Sequence, residues 1–384
     1  MPNGNVGPLT GRSLGVIDLH THPSLKMMLF NRKFWGKHIK PAGFFPITLR
    51  VDIDSLIEGN VKAFLCTAYV LERDWVNDVW PMKMGKRLSR RLGRVLDNPP
   101  DQMADEFLDV MEQQVAETCR RRGIVIEIAK SYADMQRIMA EGKIAVLHAL
   151  EGAHHLNGKI ENLDHFHRRG VCQMIVPHMY PNEAGHCVNA IPTNQFLRKA
   201  GCFKEPFDVD AGITEWGREL VNRMFDIGML VDVTHGTLPF RREVLEMAKA
   251  HPKQRPVIAS HAGLFKFCPE SINPNDEEIR MIADTGGVIG IIAMSHWLVK
   301  PERHECLDIV LASVEHLINV GGEDVVAFGS DFDGFTGVPR EWRSPSDYNC
   351  VRDALLKRYS EFQVEKFLGG NADRVLRMGW NRPN

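Results

Sequence analysis

The sequence predicts an α/β protein built on a (β/α)8 barrel. Eight short apolar segments rich in β-branched residues recur along the 384 residues, and longer helical patterns separate them, which is typical of repeated βα units around a parallel sheet. The segments are nearly continuously hydrophobic, as expected for strands that are buried on both faces. A closed barrel is therefore favoured over an open sheet, and residues 1–384 are expected to form a single unit.

The chain contains eight predicted strands and shows no internal sequence repeat beyond the βα unit. In chain order they are Leu14–His20, Val61–Tyr69, Ile144–Glu151, Val171–His178, Met229–His235, Pro256–His261, Val288–Ala293 and Val325–Asp331. Apolar stripes and caps between them predict helices such as Thr214–Ile227 and Asp276–Asp284, the second of which is closed by Gly286 and Gly287.

The segment from about residue 72 to about residue 123 is too long for a simple βα connection, and it predicts a helical insertion after the second strand, over the barrel mouth. Part of it forms a predicted amphipathic basic helix. Its basic face comprises Lys83, Lys86, Arg87, Arg90, Arg91 and Arg94, and its apolar face comprises Met84, Leu88, Leu92 and Val95. Two interpretations are open: a solvated helix packed on the barrel, or a contact with an anionic substrate or a neighbouring subunit.

Composition argues against several classes of function. The chain is 44% hydrophobic and 25% charged, with a formal net charge of -2, so binding to nucleic acid or to an acidic membrane surface is not expected. No early segment resembles a signal peptide and no apolar run approaches the ~18 residues of a membrane span, which predicts a cytoplasmic protein. The eight cysteines include no CxxC pair, so neither a disulfide framework nor a cysteine zinc site is expected. The expected partners are a small-molecule substrate and, as one option, a second copy of the chain.

Polar residues end six of the eight predicted strands, at the rim where a barrel of this kind carries its active site. They are His20 with His22 just beyond it, Glu151, His178, His235, His261 and Asp331. A single histidine at a strand end is usually structural. Several potential metal ligands and proton carriers on one rim indicate a functional site.

Five of these residues form a predicted two-metal site. His20 and His22 are two residues apart and therefore face the same way, so both can bind one ion. Glu151 is the acidic strand end near the middle of the set, and a carboxylate can bridge two cations. The interpretation assigns His20, His22 and Glu151 to one metal and Glu151, His235 and His261 to the other, with zinc favoured by the imidazole ligands.

Two further residues are predicted to act in the reaction. Two metals would lower the pKa of a shared water to about 7 and make it the nucleophile. Asp331 is the expected general base, which orients this water and later passes its proton to the leaving amine; the alternative is an aspartate that caps the DFDG turn. His178 is expected to stabilise the tetrahedral oxyanion, and the alternative is a structural histidine.

Several longer motifs surround these residues: EGKIAVLHALEGAHHL at the third strand, the DVTH and ASH strand ends, GSDFDG, and GGNADRVL from Gly369. Through them the chain resembles the membrane dipeptidase family, peptidase family M19 of the amidohydrolase superfamily, from Asp18 to Arg374. The resemblance implies a binuclear zinc barrel that cleaves dipeptides, with the same five ligands. It also implies an acid/base aspartate at Asp331 and a substrate-contacting histidine at His178.

Two departures from the family pattern bear on the substrate. The first strand has HTH where the family usually has HxD, so His22 replaces a carboxylate. After the sixth strand, Ile272 in ESINPNDEE stands at about the position of an arginine that in the family grips the substrate carboxylate. A buried carboxylate needs a cation, and Lys266, five residues after His261, is the predicted replacement. Tyr180 is a second predicted substrate contact.

The leading functional hypothesis is a zinc-dependent hydrolase that cleaves an amide bond in a small molecule, with dipeptides as the first substrate class. A second hypothesis keeps the site and changes the bond to another amide, a lactone or an ester, because function resides in the pocket rather than in the fold. A third makes the chain a metal-stabilised barrel that binds without catalysis. Asp331 argues against the third, since a purely structural metal site does not need a general base.

Overall fold

Eight parallel strands form the central sheet of the computed structural model, which describes residues 15–190, 207–301, 303 and 305–380. Strands that follow one another along this barrel are hydrogen-bonded neighbours. In order they are Val16–Thr21, Val61–Ala68, Ile144–Glu151, Val171–Ile175, Leu230–Asp232, Val257–Ala262, Ile289–Ile291 and Val326–Phe328. The predicted (β/α)8 barrel is confirmed. Leu14, the predicted start of the first strand, lies outside the described residues.

The barrel closes between the first strand and the segment that follows the eighth. Thr21 and Phe332 form a parallel bridge. The backbone N–H of His22 donates to the carbonyl of Phe332 at 2.8 Å, and that of Asp331 donates to the carbonyl of His20 at 2.9 Å. Closure therefore occurs at the carboxyl ends of the strands, and it brings two parts of the predicted site side by side.

Helices surround the sheet and connect its strands. They span Pro23–Phe30, Ile53–Glu58, Asp74–Asp78, Trp80–Leu88, Arg90–Asp97, Pro100–Arg122, Tyr132–Ala140, Ile160–Arg169, Glu215–Ile227, Leu238–Ala250, Asp276–Asp284, Ser295–Leu298, Leu307–Gly321, Tyr348–Leu356, Glu361–Glu365 and Asn371–Gly379. Within the described ranges, no helix combines the length and the apolarity needed to cross a bilayer.

The strands are buried on both faces, as their sequences predict. Alternate residues of the strands, such as Ile17 and Leu147, pack in one hydrophobic cluster that includes Trp380 after the last helix. Their strand neighbours, such as Val16 and Val146, pack in a larger cluster formed with the surrounding helices. Two packed layers therefore hold the strand ends in place.

Three strands end three residues earlier than predicted, because the chain leaves the extended conformation before the polar residue. His178, His235 and Asp331 each lie three residues beyond the end of their strand. His235 and Asp331 have positive φ values of 71° and 56°, which few residues other than glycine adopt and which no strand accommodates. These three residues therefore lie on loops rather than on strands. The remaining predicted ends differ from the observed ones by at most two residues.

The prediction of a single basic helix is wrong, because this part of the insertion forms two helices. Ser89 is extended between Trp80–Leu88 and Arg90–Asp97, and its hydroxyl accepts a hydrogen bond from the N–H of Leu92, so it caps the second helix. Val95 is buried as predicted, whereas Leu88 is 82% exposed. A short strand that was not predicted, Ile126–Ala129, follows the insertion and pairs with the third barrel strand.

Candidate metal centre

The strand ends bring the five predicted metal ligands into one cluster, and Glu151 lies at its centre. The Oε1 atom of Glu151 is 3.2 Å from Nε2 of His20, and its Oε2 atom is 3.3 Å from Nε2 of His22. The two imidazoles face each other with their Nε2 atoms 2.8 Å apart. One carboxylate therefore meets both histidines of the first strand, each with a different oxygen.

The histidines from the fifth and sixth strands form the other side of the cluster. The Nε2 atoms of His235 and His261 are 3.1 Å apart. They lie 3.8 and 3.9 Å from Oε1 of Glu151. The ring of His261 stacks on that of His20 with centroids 3.9 Å apart, so the two sides are continuous. All five side chains belong to residues that are at most 3% exposed.

His178 and Asp331 lie against the same cluster. Nε2 of His178 is 3.4 Å from Oε1 of Glu151. Oδ1 of Asp331 is 3.3 Å from Nε2 of His22 and 3.8 Å from Nε2 of His20. The two predicted catalytic groups therefore approach the cluster from different sides, with Asp331 next to the first-strand histidines.

Hydroxyl groups contact the Nδ1 atoms of His20 and His261 and so direct the Nε2 atoms of both rings towards the cluster. Oγ of Ser260 lies 3.0 Å from Nδ1 of His261 and 3.4 Å from Nδ1 of His20. Oγ1 of Thr67 lies 3.4 Å from the same nitrogen of His20. Because Nδ1 is occupied, Nε2 is the nitrogen left to bind a ligand. Sequence reasoning missed Ser260, although it directly precedes His261 in the ASH motif.

Burial keeps the imidazoles of His20, His235 and His261 neutral. Burial, followed by the charges of neighbouring histidines, lowers the pKa of His20 and His235 well below the ordinary value. Burial also lowers the pKa of His261 to about 3. Burial and the nearby carboxylate of Asp331 raise the pKa of Glu151 well above its usual value. Neutral imidazoles are the form that binds metals, and a cation here would offset the cost of a buried Glu151 carboxylate.

The donor set fits divalent metal ions. Three groups have ligand atoms within 4.8 Å of one another: His20 with Glu151 and His261, His20 with His22 and Asp331, and Glu151 with His178 and His235. The first group shares His20 with the second and Glu151 with the third, so the donors form one continuous cluster. Oε2 of Glu151 is buried and has no hydrogen-bond partner in the described part of the chain, which leaves a lone pair free for a cation.

An indole forms an apolar wall beside this cluster. Trp297 lies in the short helix Ser295–Leu298, and its ring is parallel to that of His261 within 7°, with centroids 6.0 Å apart. The same indole meets His235 edge-on at 5.7 Å. Its Nε1–H donates to the carbonyl of Ala190 at 3.2 Å, which fixes the orientation of the ring. Trp297 therefore packs against the predicted ligands His235 and His261.

Glu72 is a functional candidate that sequence reasoning assigned only to the insertion. Its Oε1 atom lies 3.3 Å from Nδ1 of His178, on the opposite side of that ring from Glu151. Glu72 follows shortly after the second barrel strand. The rule that polar residues near strand ends are functional would have found it.

Tyr180, a predicted substrate contact, lines a cavity of about 380 Å³ between the insertion and the strand ends. Insertion residues such as Leu96 form one wall, and Glu72 and His154 lie on the barrel side. The Tyr180 ring meets the Trp75 ring edge-on at 6.0 Å. Glu72 connects the cavity to the cluster, since it lines the cavity and also contacts His178.

The predicted carboxylate-binding lysine is directed elsewhere. Nζ of Lys266 lies 3.3 Å from Nδ1 of His316, on the outer helix Leu307–Gly321. Ile272 is 4% exposed and belongs to the hydrophobic core. A buried guanidinium, that of Arg241, lies close to it, but this group pairs with Glu278 and donates to the carbonyl of the residue before Ile272. The structure therefore does not bring Lys266 to the described ligands.

A family model matches nearly the whole chain. The model for the membrane dipeptidase family, peptidase family M19, matches residues 12–380. The chain belongs to this family. It is a metal-dependent hydrolase of the dipeptidase type, and the resemblance seen in the sequence is confirmed.

Two relatives match over most of the chain. An uncharacterized protein in the pqqA 5' region of Klebsiella pneumoniae is 28% identical over 279 residues, which cover 72% of this chain and 95% of that protein. The dipeptidase tcpJ of Claviceps purpurea (strain 20.1) is 30% identical over 282 residues, which cover 72% of this chain and 60% of that protein.

Solved structures share the fold at low identity. A metallopeptidase from Rhodobacter sphaeroides, liganded with a phosphinate mimic of the dipeptide L-Ala-D-Ala, is 22% identical with a TM-score of 0.74, and the match covers 96% of this chain and all of that one. The dipeptidase AC, a metallopeptidase of family M19, is 20% identical with a TM-score of 0.73 and covers 96% of this chain and 99% of that one.

Proposed function

We propose that this protein is a binuclear zinc hydrolase that cleaves the amide bond of a dipeptide. The observation that carries the proposal is the position of Glu151, whose two oxygens each face a different histidine inside a buried cluster of imidazoles. A carboxylate with this surrounding suits a bridge between two cations, because it lowers their mutual repulsion.

Five residues would hold the two ions. His20 and His22 would bind one ion and His235 and His261 the other, with Glu151 contributing to both; the Nε2 atoms are 2.8 and 3.1 Å apart within the two pairs. Imidazole nitrogens with a single carboxylate favour zinc over magnesium or calcium, which prefer sets of oxygen ligands. Bound ions would supply Lewis acidity and lower the pKa of a water between them to about 7.

Asp331 acts as the general base and then as the general acid. Its Oδ1 atom lies 3.3 Å from Nε2 of His22 and 3.8 Å from Nε2 of His20, so its carboxylate is placed to take a proton from a water that enters the cluster. The carboxylate accepts a proton from this water as the water oxygen attacks the substrate carbonyl carbon. It then gives the proton to the amine nitrogen as the C–N bond breaks, so the aspartate is regenerated.

His178 binds the carbonyl oxygen of the scissile amide. Its Nε2 atom lies 3.4 Å from Glu151, whereas Asp331 contacts His22, so the two groups can act on different atoms of a substrate bound at the cluster. Burial lowers the pKa of His178, while the Glu72 carboxylate opposes this shift. The contact strengthens as negative charge develops on the oxygen, which is the condition for stabilising the transition state.

Dipeptides are the first substrate class, because the relative from Claviceps purpurea is a dipeptidase and the Rhodobacter sphaeroides metallopeptidase binds a dipeptide mimic. A neutral amide, a lactone or an ester is the second candidate. The observation in its favour is the loop after the sixth strand, where Ile272 is buried in the core and Arg241 is already paired with Glu278. A dipeptide carboxylate would have to find its cation elsewhere.

The test is a substrate screen with the zinc-replete protein and its chelated form. The panel holds L,L- and L,D-dipeptides, the same dipeptides with amidated C-termini, N-acyl amino acids and lactones. We expect zinc-dependent cleavage of free dipeptides that is abolished in Glu151→Ala. Cleavage of only amidated or neutral compounds would select the second candidate, and zinc-replete protein without activity on any member would contradict the proposed function.

A further inference from the structure

A buried carboxylate outside the proposed ligand set supports His178 from behind. Glu72 is 7% exposed and receives four hydrogen bonds. Its Oε1 atom accepts from Nδ1 of His178 at 3.3 Å and from the backbone N–H of Met179 at 3.2 Å. Its Oε2 atom accepts from the hydroxyl of Tyr69 and from Nε1 of Trp75, the latter at 3.2 Å. The carboxylate is therefore fixed on every side.

These contacts keep Glu72 ionised. Burial alone would raise its pKa, but the charge of His154 and the hydrogen bond and charge of His178 outweigh burial and lower the pKa to about 2. An ionised carboxylate accepts hydrogen bonds at about four positions and donates none. Four donors already fill them, so Glu72 has no position left for a substrate and acts through its protein partners.

The orientation and protonation of His178 follow from this contact. Because the Glu72 carboxylate can only accept, Nδ1 of His178 must carry the proton of their hydrogen bond. Nε2 is then the nitrogen that faces Oε1 of Glu151 at 3.4 Å. A carbonyl oxygen also only accepts hydrogen bonds, so His178 carries a second proton, on Nε2, when it binds the substrate carbonyl. The ring of Tyr69 packs edge-on against that of His178 with centroids 4.4 Å apart, which prevents the imidazole from turning over.

We propose that Glu72 is a positioning residue that holds the Nδ1 proton of His178 and aims Nε2 at the reacting carbonyl. The substrate contact of His178 rests on the proposed function. The hydrogen bond that holds a proton on Nδ1 of His178 does not. Through Trp75 the same carboxylate also ties the first helix of the insertion, Asp74–Asp78, to the site. The insertion is thereby linked to the orientation of His178 as well as to the wall of the neighbouring cavity.

The experiment compares two substitutions in the zinc-replete enzyme. Glu72→Leu fills a similar volume but removes the acceptor, whereas Glu72→Gln retains an amide oxygen that can still accept from His178. Partners that orient a site histidine typically contribute tenfold to hundredfold in activity. We expect kcat/KM to fall about tenfold or more in Glu72→Leu and to recover most of this loss in Glu72→Gln.

A readout independent of activity is the nitrogen-15 spectrum of the imidazole of His178, assigned by its absence in His178→Asn. We expect a protonated Nδ1 in the wild type and in Glu72→Gln, and loss of this preference in Glu72→Leu. The matched control is Glu112→Leu. Oε1 of Glu112 lies 3.3 Å from Nε2 of His148, and this pair lies outside the cluster. This control should leave both the His178 signals and kcat/KM unchanged.

Two results would overturn the positioning role. The first is a wild-type His178 without a proton on Nδ1. The second is a folded Glu72→Leu protein whose His178 signals match the wild type, whether or not activity has fallen, since a loss of activity would then have another origin. Inactivity of the wild type towards dipeptides contradicts the proposed substrate instead, and it leaves the spectroscopic comparison decisive for Glu72.

Discussion

Replacing Asp331 with asparagine separates the general base from the metal centre. Asparagine has nearly the same shape, and it tolerates the left-handed conformation of this position, where φ is 56°. Oδ1 lies 3.3 Å from Nε2 of His22, and an amide oxygen can occupy the same place without accepting a proton from water. We expect metal content and thermal stability close to wild type, with kcat lower by at least about 100-fold, which corresponds to about 2.7 kcal/mol in the barrier.

The matched control is Asp333→Asn, two residues along the same loop and also left-handed, with φ at 73°. Both oxygens of Asp333 accept backbone N–H groups, those of Arg50 at 2.8 Å and Val51 at 2.9 Å. An asparagine NH2 group would face one of these donors, so stability should fall by about 1–3 kcal/mol while the folded enzyme remains active. Steady-state kinetics, metal analysis and thermal unfolding check both variants. The reasoning fails if Asp331→Asn keeps more than a tenth of wild-type kcat or if it loses metal.

The remaining predictions concern metal binding, substrate binding and packing. Glu151→Ala should release both metals, whereas His261→Ala should retain one, as measured by elemental analysis; retention of two metals by Glu151→Ala would exclude a bridge. Lys266→Ala should change KM for dipeptides less than twofold because its ammonium contacts His316, and a rise confined to substrates with a free carboxylate would restore the role predicted from sequence. Gly290→Ala should lower the melting temperature strongly and reduce metal content, since its added Cβ would lie 1.8 Å from the carbonyl oxygen of Ser260, next to a ligand; Gly337→Ala, with its nearest atom at 4.0 Å, is the control.

The convergence of the predicted ligands was accessible to sequence reasoning because a parallel barrel brings the strand ends together at one rim. His20 and Glu151 lie within strands whose apolar patterns are long and clear, and Ile144–Glu151 has the predicted bounds at both ends. His235 and Asp331 lie at the expected rim but were placed on strands, because an apolar pattern does not show that a loop residue adopts a positive φ.

Contacts between distant segments could not be predicted in the same way. Glu72 and His178 are 106 residues apart, and their pairing depends on how the start of the insertion folds back over the second strand. Lys266 is close to His261 in sequence, yet proximity along the chain does not fix the direction of a side chain. Ser89 breaks the basic helix because its hydroxyl caps the next turn, and this local signal competed with an amphipathic pattern that runs through it.

The aspartates that precede the ligands show how the barrel holds its rim together. Asp18 accepts from the backbone N–H of His20 at 3.2 Å and from that of Ser330 at 2.9 Å, so it joins the first strand to the segment after the eighth. Asp232 does the same between the fifth and sixth strands, accepting from Thr234 at 2.9 Å and from Ser260 at 3.2 Å.

Each of these buried carboxylates therefore fixes the serine that directly precedes a site residue on the neighbouring strand. Ser330 comes before Asp331, and Ser260 comes before His261. The aspartates of DLH and DVTH, Asp18 and Asp232, therefore join neighbouring strands. Each accepts a hydrogen bond from the backbone N–H of a serine, Ser330 in GSD and Ser260 in ASH. Because a carboxylate accepts two or more backbone donors at fixed angles, it sets the register of adjacent strands at the mouth, where the ladder hydrogen bonds have ended. The spacing between opposite sides of the cluster thus depends on residues that need not touch a metal or a substrate.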